Sequence, residues 1–528
     1  MRDARMRGAN GTEQDEIRAF LEDPRNWPNG PDRVERIETH ISHLFLGGNL
    51  ALKMKKAVRL PYLDFSTLKL RERFCRREVE INRLFSPELY LGLERVTRGR
   101  DGRLRIGDYG ETVEWLVRMR RFDGKDILSE VARRGPLGSA LVRALAGTVA
   151  ESHRKAPVKD ADGWRGIMRT VDELRDSALA GGRLPKDAGV TDFLDTAVSL
   201  ARRRRALLER RGASGSVRRC HGDLHLGNIV LWEGRPLLFD AIEFSEDLAT
   251  VDVLNDLAFL LMDLVHRGQR KAANRLMNWW LQFLHEEGHH AALGLVGLYT
   301  ACRAGIRAMV SVDLALQKKG REREEMLQRA AAYMKTANQA IHPPRPCIVA
   351  IGGFSGSGKT TLATALAPFL APGPGAAHFR SDVERKLMAG VDEYERLGAE
   401  FYSQEKSDVV YRRIIAKARE TAASGWVAVI DAVFLKAWER YAAEEAARAV
   451  GADFLGLWLE APPQTLKQRV SRRFHDASDA TPRIVDMQLA QRPEISGWKR
   501  ISAEGGPDTV LGRVMDALGI SPGKAGDD

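Results

Sequence analysis

Residues 221–228 read HGDLHLGN. The apolar run IVLW follows at once, and after a short turn the chain reads LLFDAIEF, so that a second apolar run ends in Asp240. Two apolar runs folded about EGRP have the pattern of a β-hairpin. The stretch therefore gathers two carboxylates, Asp223 and Asp240, and the amide of Asn228 on one loop and one hairpin. His221, Asp223 and His225 taken alone suggest a metal site, but no further His or Cys follows at metal-ligand spacing. The two histidines read better as braces of the loop.

Phosphoryl transfer asks a protein mainly for positioning and charge. It needs a carboxylate to orient the acceptor hydroxyl, an amide oxygen and a second carboxylate for Mg²⁺, and a Lys–Glu pair to grip the phosphates of ATP. In that reading Asp223 is the catalytic base, and Asn228 and Asp240 are Mg²⁺ ligands. The step of five residues from Asp223 to Asn228 matches the protein-kinase catalytic loop. Upstream, LALK ends in Lys53 as the kinase VAIK string does, and Glu78 in RREVEINRLF sits on the helix that should follow. Lys53 is preferred to Lys55 because it completes that string, although alternate residues of a strand share a face. EWLVRMRRF is then the strand whose backbone near Val117 to Met119 meets the adenine.

A second phosphate site is written in CIVAIGGFSGSGKTTLATAL, which holds GxxxxGK[ST] from Gly353 to Gly358, Lys359 and Thr360. An apolar strand runs into the glycines and a helical pattern leaves them, as a P-loop requires. Ser355, Gly356, Ser357 and Thr361 complete the loop that would wrap a phosphate at a helix N-terminus, with Lys359 bridging phosphates and Thr360 ligating Mg²⁺. WVAVIDAVF ends in Asp431, where a P-loop protein keeps its second Mg²⁺ carboxylate. In FRSDVERKLMAG, Asp382 and Arg385 lie one helical turn apart, suited to taking a proton from a hydroxyl and holding an anion; the competing reading is a helix N-cap beside a solvated Arg. Arg469, Arg472 and Arg473 lie on a lid-like segment able to neutralise a phosphoryl group in flight, or on an ordinary basic helix.

With 528 residues the chain is too long for one core. IHPPRPCIVAIGG marks the clearest boundary, since its prolines end a helix before an apolar strand. Residues 1–32 read as an N-terminal extension, 33–342 as one domain (a β-rich small lobe to about 120, then a helical lobe), and 343–528 as the P-loop domain. Residues 270–340 have helical spacing with few breakers. The excess of basic residues, 82 against 71, lies before the junction, because residues 341–528 hold 24 of each sign. Much of it sits in ARRRRALLERRGASGSVRR, residues 201–219, read as a solvated helix face and turn. Cys75, Cys220, Cys302 and Cys347 form no CxxC pair, and the N-terminus has no apolar h-region. Both features imply a cytoplasmic chain, with no membrane partner expected.

The P-loop half, over roughly 345–515, resembles the small kinases grouped with zeta toxins, gluconate kinases and polynucleotide 5′-hydroxyl kinases. That resemblance implies acceptor binding and deprotonation by Asp382 and Arg385, and lid arginines at Arg469, Arg472 and Arg473. The first half, over about 33–340, resembles the aminoglycoside phosphotransferase-like kinases. HGDLHLGN, FDAIEF and DVLNDLAFLLMDL are close to a bacterial fusion family described as bifunctional aminoglycoside phosphotransferase/ATP-binding protein. The fold implied is an α+β bilobal kinase-like domain followed by an α/β P-loop domain with a parallel sheet. The cofactors implied are ATP and Mg²⁺, and the partner is a small hydroxyl-bearing acceptor. The phosphate-covering stretch HLFLGGNLALK departs from its pattern in holding only Gly47 and Gly48, and a basic half has the wrong sign for a polycationic drug. Two other readings stand beside this one. In one, a domain acts without turnover as a nucleotide-sensing regulator of the other; in the second, the P-loop half phosphorylates a nucleic acid 5′ end, against which its neutral charge weighs.

Overall fold

A computed structural model describes residues 13–60, 63–179, 189–284, 286–472 and 476–519. The chain forms two compact units, one of residues up to Gly163 with Arg210–Asp256, the other of Trp164–Glu209 with Leu257 onwards. The helices Arg270–Leu284, Val296–Leu316 and Gly320–Ile341, all before the proline-rich junction, therefore share a unit with the P-loop sheet.

The first unit is built on a six-stranded antiparallel sheet. Its order is Val34–Glu38, Ser42–Gly47, Leu50–Lys55, Glu111–Arg120, Tyr90–Arg98 and Leu104–Ile106. Gly48 and Asn49 alone turn HLFLGGNLALK back on itself, and Gly48 takes the positive φ such a turn demands, at 56°. One face packs on the helix Leu68–Phe85 through Cys75, Val79, Leu89, Val117 and Met119. The other is covered by residues of the N-terminal segment, where Ile17, Leu21 and Trp27 join Phe45, Leu52, Met54 and Leu116. Residues 13–32, expected as an extension, thus close the core of the small lobe.

The loop 221–228 leaves the strand Val217–Arg219 and enters the hairpin of Ile229–Trp232 with Arg235–Leu238. Glu233 and Gly234 at its tip have φ of 50° and 77°, the positive pair that a I′ turn requires. The basic run before the loop is not a solvated face throughout. Arg211 is buried and fixed to Asp252 at 2.7 and 2.5 Å, Arg218 donates to the His153 carbonyl at 2.7 Å, and Arg219 reaches Glu246. These arginines tie the strand that feeds the loop, which corrects the expectation for this end of the run.

In the second unit the helices Arg270–Leu284, Val296–Leu316 and Gly320–Ile341 appear where helical spacing predicts them. His290–Leu316 is long and apolar enough to cross a membrane by length and composition, and 78% of its apolar window is buried, as a core helix would be. The sheet that follows is parallel throughout, ordered Ala377–Arg380, Val427–Asp431, Cys347–Gly353, Asp453–Glu460 and Lys499–Ser502. Its central strands are apolar and buried, as strands covered on both faces must be.

Arg211 and Asp252 make a direct test of the buried pairing. Arg211→Ala or Asp252→Ala should each destabilise the protein by about 3–5 kcal/mol, because each takes from a buried charge the oppositely charged partner bonded to it. The double variant should lose clearly less than the sum, as measured by urea unfolding.

Candidate active sites

Lys53 and Lys55 project from one face of the strand Leu50–Lys55 onto Glu78, whose side chain has no exposure to solvent. Lys53 Nζ donates to Glu78 Oε1 at 2.8 Å and to Asp240 Oδ1 at 2.5 Å. Lys55 Nζ donates to Glu78 Oε2 at 2.7 Å and also to Glu243. Burial alone would lower both ammonium groups, but Asp240, Glu78 and Glu243 outweigh it and raise them above the ordinary lysine value. Burial would likewise raise Glu78, yet its two lysines hold it below the usual carboxylate range. Glu243, whose burial is offset mainly by Lys55, is raised.

Asp240 follows the hairpin and sits at φ 61°, a left-handed backbone that few residues other than Gly adopt without cost. It is held there by the Tyr90 hydroxyl, which accepts from the Asp240 N–H at 3.0 Å, while Asn82 Oδ1 accepts from the Ala241 N–H at 2.9 Å. Asn228 Nδ2 donates to the Asp223 carboxylate at 3.0 Å and to its carbonyl at 2.9 Å, and the Phe239 N–H donates to the Asn228 carbonyl at 2.9 Å. The loop is braced from below by buried Asp256, which accepts from the N–H groups of His221 (3.3 Å) and Gly222 (2.9 Å). His221 bonds the Phe239 carbonyl at 2.9 Å, and His225 lies 3.4 Å from Asp223. Both histidines brace the loop, as its sequence suggests. Met119 is buried on the strand that pairs with Leu50–Lys55, directly opposite Ala51.

The P-loop turns between the strand Cys347–Gly353 and the helix Lys359–Leu366. Gly353, Gly356 and Gly358 have φ of 140°, 88° and 89°. A Cβ on Gly356 would stand 2.4 Å from the Leu466 carbonyl oxygen, so close approach as well as φ requires glycine there. Lys359 Nζ donates to the carbonyls of Gly353 (2.8 Å) and Phe354 (3.1 Å), and Thr360 Oγ1 donates to Asp431 Oδ2 at 2.5 Å. The Ser355 N–H donates to Gln488 Oε1 at 2.8 Å, Ser357 is buried, and Thr361 lies on the first turn of the helix.

Asp382 lies in the first turn of the helix Ser381–Ala389, whose N-cap is Arg380. Burial raises its carboxyl, as does nearby Asp431, against Arg380 and Lys359. Arg385 donates to the Phe401 carbonyl at 2.6 Å and stacks over Tyr402, with its centre 4.7 Å from the ring. Of the three arginines read as lid residues, Arg469 donates to the Ala503 carbonyl at 2.9 Å, Arg472 is exposed at the end of its helix, and Arg473 lies outside the described residues. Two residues the sequence reading passed over stand near Asp431. His378 Nε2 is 3.6 Å and Arg380 Nε 3.9 Å from its Oδ2. The signal was present in AHFR, where two polar residues alternate on one face of a strand.

Residues 71–294 match the sequence model of the phosphotransferase enzyme family, and residues 348–495 match that of an AAA domain. Two regions of the chain thus match kinase-type family models in tandem, the phosphotransferase enzyme family first and the AAA domain after it. Uncharacterized proteins of Mycobacterium tuberculosis and Mycobacterium bovis are 28% identical to it over 492 residues, covering 90% of this chain and 94% of theirs. Among solved structures, a gluconokinase from Sinorhizobium meliloti 1021 is 18% identical, with a TM-score of 0.26 over 33% of this chain and 93% of its own. A choline/ethanolamine kinase family protein from Mesorhizobium loti is 16% identical, with a TM-score of 0.38 over 62% and 98%. The GDP and kanamycin complex of APH(2")-IIia is 12% identical, with a TM-score of 0.40 over 61% and 98%.

The P-loop glycines separate two effects of a methyl group. Gly358→Ala meets nothing within 4 Å and suffers only its positive φ, which costs about 1–2 kcal/mol. Gly356→Ala meets the Leu466 carbonyl besides and should be the more destabilising of the two by thermal unfolding of the ligand-free protein.

Proposed function

We propose that the chain is an ATP-dependent phosphotransferase with two kinase-type sites, each moving the γ-phosphoryl group of ATP to a hydroxyl of a small molecule. The observation that carries this reading is Lys53, which bonds Glu78 and Asp240 at once and so gathers three segments far apart in sequence into one cationic grip. The Thr360–Asp431 bond supports the same reading at the P-loop.

In the phosphotransferase domain, Lys53 meets the phosphates while Glu78 holds its ammonium in place. Asp223 accepts the proton of the acceptor hydroxyl, and the Asn228 amide N–H fixes the carboxylate for that task. Met119 and its neighbours line the adenine side. In the P-loop domain, the backbone N–H groups from Gly353 to Thr361 and the Lys359 ammonium receive the phosphates, while Asp382 accepts the proton from an acceptor anchored by Arg385. A carboxyl raised by burial suits a proton acceptor better than an exposed one. The oxygen donors of Asn228 and Asp240, and of Thr360 and Asp431, are hard ligands of the kind Mg²⁺ prefers, and these residues would hold it. Bound there, Mg²⁺ would neutralise charge on the phosphates. None of the four cysteines forms a disulfide, which supports a cytoplasmic setting.

ADP release by the full-length protein, with Mg²⁺-ATP and a panel of sugars, polyols, nucleosides and amino-alcohols, tests the proposal. Asp223→Ala should remove one acceptor-dependent activity by about 10²–10⁴-fold and leave the other. Lys359→Ala should do the reverse. If Lys359→Ala abolishes all turnover and Asp223→Ala changes none, the first domain is a regulator and the two-enzyme reading fails.

A further inference from the structure

The helix Arg270–Leu284 buries Leu276, Met277, Trp280, Leu281 and Leu284, yet also carries Arg270, Asn274 and Asn278. Residues four apart share a helix face. Asparagine is a poor helix-interior residue, and a buried amide is costly unless its hydrogen bonds are met. Here the stripe serves the P-loop sheet of the same compact unit. Arg270 donates to the carbonyls of Pro368 (2.7 Å) and Ala371 (2.8 Å), and Asn274 to those of Pro374 (2.8 Å) and Ala376 (2.9 Å). Asn278 Oδ1 accepts from the His378 N–H at 2.7 Å, and its Nδ2 donates to the Ala376 carbonyl at 3.3 Å. The strand Ala377–Arg380 is the outermost of its sheet, so one row of its backbone groups faces no other strand. Asn278 satisfies part of that row.

Two lines run from this helix to Asp431. One passes from Asn278 to the backbone of His378, whose Nε2 is buried without a hydrogen-bond partner 3.6 Å from Asp431. The other starts at Trp279 Nε1, which donates to Glu393 Oε1 at 3.3 Å. Glu393 lies 3.9 Å from Arg380, and the Arg380 Nε is buried and unbonded 3.9 Å from Asp431. Both end on the carboxylate that accepts from Thr360.

We propose that Asn278 and Trp279 are positioning residues of the P-loop site. They set the edge strand and, through it, the placement of His378 and Arg380 against Asp431. The proposal rests on reading that site as a phosphotransferase. It makes a helix that precedes the proline-rich junction a working part of the site that follows it.

The test uses the full-length protein with Asn278→Ala, His378→Ala, the double variant, and Asn274→Ala, which removes bonds to Pro374 and Ala376 and the 3.3 Å bond it accepts from Asn278 Nδ2, but leaves the bond from Asn278 Oδ1 to His378 in place. The readouts are kcat and KM of the ADP release that Lys359→Ala abolishes, the thermal midpoint, and the Mg²⁺ dependence of affinity for a fluorescent ATP analogue. Asn278→Ala should lower kcat on the order of tenfold with KM little changed. Its effect should be smaller once His378 is alanine, because only the Arg380 arm of the strand then remains to be displaced, and Asn274→Ala should lower the thermal midpoint with kcat unchanged. Equal effects of Asn278→Ala and Asn274→Ala on kcat, or multiplying effects of Asn278→Ala and His378→Ala, would overturn the proposal. Absence of Lys359-dependent turnover in the wild type would defeat the phosphotransferase reading separately. Nucleotide affinity then decides: Asn278→Ala must weaken its Mg²⁺ dependence where Asn274→Ala does not, and equal behaviour overturns the proposal.

Discussion

Glu78 has no access to water, and keeping its carboxylate charged there constrains the whole small lobe. Isolated, such a charge would cost several kcal/mol. It is tolerated because two ammonium groups from one strand reach it, and they in turn reach Asp240 and Glu243 on the segment after the hairpin. Three elements are therefore bound by one electrostatic condition. Side chains alternate along a strand, so a slip of one residue would turn Lys53 and Lys55 away together and leave Glu78 and Glu243 buried without partners. Strand register, helix placement and the position of Asp240 are settled by the same requirement.

The loop 221–228 is fixed by a different means. Its backbone N–H groups are spent on buried Asp256, its histidines brace Phe239 and Asp223, and Asn228 holds Asp223. At the P-loop the fixed element is the backbone itself, where glycine is required by φ and by the nearness of Leu466. One site is arranged by side-chain charge and the other by main-chain geometry, although both present a lysine and carboxylates.

What the sequence made legible is what is written locally. Lys53, Glu78, Asp223, Asn228 and Asp240 stand in short strings with fixed spacing, and the P-loop is one continuous string. Sheet and helix assignments followed from periodicity, and the hairpin from its turn. Glu243 was not legible, because its partner Lys55 is 188 residues away and nothing near either marks the contact. His378 and Arg380 stand beside Asp431 on a strand to which the sequence reading gave no role. Arg211, Arg218 and Arg219 looked like surface because a charge run usually is, and their burial depends on partners such as Asp252 and the His153 carbonyl. The amides at 274 and 278 did carry a signal, since polar side chains at a spacing of four within an apolar helix must be bonded to something.

The polar stripe on Arg270–Leu284 also bears on the open edge of the P-loop sheet while the protein folds. An open outer strand is a template for pairing with another chain. Ala377–Arg380 is such a strand, and its His378 N–H, with the Pro374 and Ala376 carbonyls just before it, is bonded by side chains supplied from an earlier part of the sequence. During synthesis the helix emerges first, so the guard is in place before the edge it covers has been made. A fragment cut at the proline-rich junction would carry that edge without its guard, with self-association through the sheet as the outcome.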